Sequence, residues 1–64
     1  MQDYGQVLRL KRRRALLTQA ELGKLIGKSG ATISRIERGA TAISVELWYE
    51  LNEVITQHDN QNER

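Results

Sequence analysis

Arg35 follows a run of small and hydroxylated residues, Gly30-Ala31-Thr32-Ile33-Ser34, and its guanidinium can make two parallel hydrogen bonds to a planar pair of acceptors. Lys28 and Arg38 flank that run, and Arg9, Lys11, Arg12, Arg13 and Arg14 crowd an earlier one. The acids fall mostly later, at Glu46, Glu50, Glu53, Asp59 and Glu63, so a formal charge of only +2 conceals a basic part and an acidic part. Such a separation suits a chain with one face turned to a polyanion, although clustered charge is also what any solvated face can carry. The chemistry on offer is recognition of anions and hydrogen-bonding edges. Bond-breaking has no comparable support: no nucleophile–base pair and no carboxylate pair at a pocket stand out, and 64 residues leave little chain to build a cleft. His58 lies among polar residues with no ligand-spaced neighbour, so neither a metal nor a catalytic role is expected of it. No enzyme activity and no cofactor are predicted.

These side chains need elements to hold them. Thr18, with Glu21 three residues on, has the capping-box pattern, and Leu22, Leu25 and Ile26 give the helix that follows one apolar face over about 18–26. Gly27 falls where a chain leaving a helix often needs a positive φ. Ser29 can cap a second helix over about 29–38, closed by Gly39, with Ile33 and Ile36 on its inner side. Gly30, Ala31, Thr32, Ser34 and Arg35 are left outward. A helix packed by two residues, showing small groups and an arginine, suits the groove of a nucleic acid.

The rest of the chain supports this pair. Residues 3–16 read as a first helix capped by Asp3, with Tyr4, Val7, Leu8, Lys11, Arg12 and Ala15 on one side at helical spacing. Lys11 can lie along the core and lift its ammonium to water. An inward Arg12 requires a carboxylate. Leu10 falls off this face and is expected to be exposed. A loop, 39–43, leads to Ser44 and a fourth helix ending near residue 56, whose core stripe is Val45, Trp48, Leu51 and Ile55. Leu47 and Val54 lie on a flanking side and Tyr49 elsewhere; they are surface residues or, together, a dimer contact. One domain, 1–55, is expected, followed by a polar tail, 56–64, that has nothing to bury and is expected to fray. There is no cysteine for a disulfide, no apolar run of membrane-spanning length and no signal-peptide core, which points to a soluble cytoplasmic chain.

The pattern Thr18-Gln19-Ala20-Glu21-Leu22, then Ile26-Gly27, then Ile33-Ser34-Arg35-Ile36-Glu37-Arg38-Gly39 resembles the phage repressor and Cro type helix-turn-helix family, also called xenobiotic-response-element-like. The resemblance runs from about Leu8 to Ile55. It implies an all-α, compact four- to five-helix lambda-repressor-like domain, and an ion pair between Arg12 and Glu37. Three residues depart from the family pattern: Lys28 where an apolar residue is usual, Gly23 at a small alanine, and Asn52 where a small apolar residue is common.

What the resemblance implies of function is a transcriptional regulator, a repressor first, that reads a double-stranded DNA operator as a homodimer, at least on DNA, with helix 29–38 in the major groove. Ala31, Thr32, Ser34 and Arg35 are its expected base contacts. Arg35 is first among them, since its fork fits guanine, with a phosphate contact as the other reading. Gln19 and Thr41 are implied phosphate contacts, with the amides at the start of helix 18–26 beside Gln19, and Lys28, Ser29 and Arg38 are placed to help. Arg13 and Arg14 reach the DNA backbone or stay solvated. Two alternatives share the fold: an antitoxin whose cognate toxin binds outside helix 29–38, and a restriction-modification controller. A helical interaction module that binds no DNA stands apart from these.

Overall fold

The computed structural model describes residues 3–62, with side chains through residue 60. Four helices occur among them: α1 (Tyr4–Arg14), α2 (Gln19–Leu25), α3 (Gly30–Glu37) and α4 (Val45–Asn62). Each start carries a side-chain cap. Asp3 Oδ1 accepts from the Gln6 amide at 3.2 Å, and Ser44 Oγ from the Leu47 amide at 3.1 Å. The Thr18 capping box is closed in both directions, with Glu21 N–H on Thr18 Oγ1 and Thr18 N–H on Glu21 Oε1. The ends are as local. Gly27 (φ 73°) and Gly39 (φ 75°) take the left-handed turn after α2 and α3. After α1 that conformation falls to Leu16 (φ 62°), a bulky residue that is 76% exposed. The amides of Leu16 and Leu17 then return to the Arg13 and Arg12 carbonyls.

Leu8, Ala15, Leu17, Leu22, Ile26, Ile33, Ile36, Leu51 and Ile55 form the core, fed by all four helices and the α1–α2 turn. Ile43, Leu47, Trp48 and Val54 pack against it, half-buried. The α2–α3 crossing is the closest contact: a Cβ on Gly23 would meet the Ser29 carbonyl oxygen at 2.5 Å. Gly23 therefore costs helix propensity but lets α3 seat directly on α2.

Several expectations need correction. Val45 is 65% exposed, because it opens α4 at the edge of the stripe and Ile43 of the preceding loop fills the space against the core. Leu25 is exposed, and Leu17 in the α1–α2 turn is buried instead. Leu47 and Val54, expected on a flanking side, are half-buried and pack partly against the core. Tyr4 keeps much of its ring in solvent while its edge meets Trp48, the centroids 5.1 Å apart. Lys11 is exposed, and so is Leu10, as expected. The helix end expected near residue 56 lies at Asn62. No glycine or proline interrupts Thr56–Asn62, and His58 lines a hollow with Leu17, Glu21, Lys24 and Leu25 on the α2 side. Of the expected tail, Glu63 and Arg64 lie outside the described residues.

Candidate nucleic-acid interface

Ile33 and Ile36 fix the roll of α3 by facing the core. At about 100° per residue, the opposite side then carries Ala31 and Arg38 near its centre, with Ser34 and Arg35 on either hand. Ala31, Arg35 and Arg38 are exposed and Ser34 is half-buried. Arg38 Nε lies 3.3 Å from the Ser34 carbonyl, which draws its guanidinium back along the helix. Thr32 is set differently from the base-reading role expected of it. It is half-buried on the flank, its amide donates to Ser29 Oγ, and its hydroxyl lies 3.3 Å from that same oxygen. Ser29 is thus the cap of α3 as well as an exposed hydroxyl. Lys28 is exposed in the α2–α3 turn and Thr41 in the loop after α3.

A second set of groups braces this face from behind. Arg12 Nε donates to Glu37 Oε2 at 2.5 Å and Arg12 Nη2 to Oε1 at 3.1 Å, a two-pronged pair with side chains only 12% and 4% exposed. Arg12 Nη1 donates to the Leu17 carbonyl at 2.8 Å, and Gln19 Nε2 donates to Glu37 Oε1 at 3.0 Å. One carboxylate at the end of α3 therefore ties together α1, the α1–α2 turn and the start of α2. Among the described residues no buried side-chain nitrogen or oxygen is left without a partner. The sequence reading paired Arg12 with Glu37 but kept Gln19 apart as a phosphate ligand. The missed signal is stoichiometric: two carboxylate oxygens offer about four acceptor sites, more than one guanidinium fork fills.

Electrostatics adds one resolved feature. The Glu21 carboxyl is held below its usual range, first by the backbone amide of Thr18, then by the Thr18 hydroxyl, with a lesser contribution from His58. The charged capping box is therefore the favoured form.

Two short helices crossing over a glycine, the second presenting a small, cationic outer face, define a helix-turn-helix protein. The helix-turn-helix family model matches residues 8–55, which takes in the C-terminal part of α1, all of α2 and α3, and α4 as far as Ile55. The chain belongs to this family, of the Cro/C1 type, and is a DNA-binding transcription regulator. Comparison with curated proteins and with solved structures returns no match. No helix among the described residues is long and apolar enough to cross a membrane.

Proposed function

We propose that the protein is a repressor of the Cro type that binds an operator half-site with α3 in the major groove, acts as a homodimer on DNA, and works in the cytoplasm. The observation that carries this reading is the outer face of α3, where the small Ala31 and Ser34 are grouped with Arg35 and Arg38 and no large apolar side chain lies among them. A helix is about 10–12 Å across with its side chains and the major groove about 12 Å wide, so small residues at the contact allow deep entry.

Arg35 carries most of the discrimination, through both acceptors of one guanine, worth roughly 1–3 kcal/mol. Ala31 meets a thymine methyl and Ser34 hydrogen-bonds an adjacent base edge. Thr32 has the weakest claim to a base, since its hydroxyl is beside Ser29. Ala31 and Arg35 are four residues, or about 6 Å, apart along the helix, which spans roughly two base-pair steps. Each copy thus reads a short half-site.

Lys28, Ser29, Arg38 and Thr41 set the register by contacting phosphate. Gln19 joins them with the amide hydrogen not given to Glu37, an arrangement in which Glu37 aims the phosphate ligand. The chain measures 34 × 25 × 19 Å, so two copies joined end to end along the longest dimension would have centres about one helical turn of DNA apart, the spacing a palindromic operator asks for. Selection of bound sequences from a random duplex pool tests the proposal. A short inverted repeat with a guanine at a fixed place in each half is expected; recovery of unenriched sequence contradicts sequence-specific reading.

A further inference from the structure

The family match ends at Ile55, yet α4 runs on through Thr56–Asn62. Little in that segment favours a helix by itself. Threonine, histidine, aspartate and asparagine are weak helix formers, and the segment has no apolar stripe to bury. The last turn holds no lysine or arginine, while Asp59 stands near the negative end of the helix dipole. Contacts outside α4 must therefore hold the segment, and two hollows show where they are.

On the α2 side, His58 meets Leu17, Glu21, Lys24 and Leu25 around a hollow of about 520 Å³. His58 follows Leu51 and Ile55 at helical spacing on the core side of α4, and it alone among residues 56–60 is half-buried. On the α1 side, Thr56 and Asp59 meet Lys11 and Arg14 around a hollow of about 120 Å³ beside Ile55. The segment is thus flanked by opposite charge on both sides. Asp59 faces two cations. His58 faces the Glu21 carboxyl, which the Thr18 amide and hydroxyl hold below its usual range and which therefore stays ionised near neutral pH. Lys24 is the one like charge beside a protonated His58; it is exposed, and its long stem lets the ammonium move out to water. No other ionisable side chain lines either hollow.

We infer that residues 56–62 are a strap clamped between α1 and α2, and that the α2 side of the clamp tightens when His58 is protonated and loosens when it is neutral. Among the described residues the sole ion pair in contact is Arg12 with Glu37, so the charges of the strap act across the hollows. Exposed charges at such range are each worth little. The strap therefore opens and closes locally while the core stays folded, and opening uncovers Leu17 and Ile55 on its inner side. Histidine changes its charge between about pH 5 and 8, which places the switch in the range a cell can reach. The inference is independent of the DNA-reading proposal, since no residue of the strap belongs to the outer face of α3.

The ¹³Cα chemical shifts of residues 56–60 give the ratio of docked helix to open chain in the strap, and they can be followed across pH in the intact protein. In the parent, that ratio is expected to fall about two- to fivefold between about pH 5.5 and 8, the range that one exposed charge pair supplies. His58→Gln should hold the ratio at its lower value throughout. Glu21→Gln, which keeps the capping bond because glutamine also serves at that place, should make the ratio independent of pH as well. On the other side, Asp59→Lys should open the strap at every pH, and adding Lys11→Glu with Arg14→Glu should close it again. A parent ratio that does not change with pH overturns the inference. So does a change that persists in Glu21→Gln, since protonation would then act through the helix dipole alone. An Asp59→Lys strap that stays closed, or that the reversed charges on α1 do not restore, removes the clamp.

Discussion

Arg12→Ala should be the most damaging single substitution outside the apolar core. Glu37, at 4% exposure, would keep only the Gln19 amide, and the Leu17 carbonyl would lose its guanidinium donor. Stranding one member of a buried ion pair costs about 3–5 kcal/mol. The low end, about 3 kcal/mol, is expected here, because Arg12 is 12% exposed and its removal admits water. A chain of 64 residues has about 3–10 kcal/mol of total stability, so the variant sits at the edge of folding. Arg12→Met with Glu37→Leu removes both charges and keeps apolar volume, and it should recover to within about 1 kcal/mol of the parent. Urea unfolding followed by the fluorescence of Trp48, the one tryptophan, and by circular dichroism measures Arg12→Ala and the four corners of the cycle: parent, Arg12→Met, Glu37→Leu and the double variant. A loss under about 0.5 kcal/mol for Arg12→Ala, or strict additivity of the two sites, would refute the reasoning.

Leu16→Gly should stabilise the fold by about 1 kcal/mol, because a leucine in the left-handed region costs about 1–2 kcal/mol and its side chain is largely in water. For a domain this size that is a rise in Tm of roughly 4–8 °C, and an unchanged or lower Tm would contradict it. Glu21, with its folded pKa below the ordinary 4.5, contributes stability that is fully present above its unfolded value and is lost as pH falls through the folded one. The difference in Tm between the parent and Glu21→Gln should therefore be constant near neutral pH and shrink below about 4.5; a difference that does not change on acidification tells against a charged capping box.

The helices were legible where the signal is local. Thr18 and Glu21, Ser29, Gly27 and Gly39 mark starts and stops through bonds that span three or four residues, and the structure has them in those roles. What depends on distant neighbours was harder to read. Val45 and Leu25 have suitable spacing, but Leu17, buried, and Ile43, half-buried, both in connecting segments, pack on the core instead. No periodicity marks a loop residue as core. The end of α4 was misplaced for a related reason, since a polar stretch with no helix breaker can continue a helix without an apolar face to announce it. At the interface, the outward roll of Ala31, Ser34 and Arg35 follows from Ile33 and Ile36. The sharing of Glu37 between Arg12 and Gln19 needed three elements in space.

Parallel titration of the parent and Arg35→Ala against a selected operator and against random duplex, each over a range of salt, tests the central claim most directly. If Arg35 reads a base, the substitution lowers operator affinity about 5- to 150-fold, the equivalent of roughly 1–3 kcal/mol, with much less effect on random DNA and little change in salt slope. Equal losses on both duplexes, with the slope reduced by about one, would make Arg35 a phosphate contact and contradict the account.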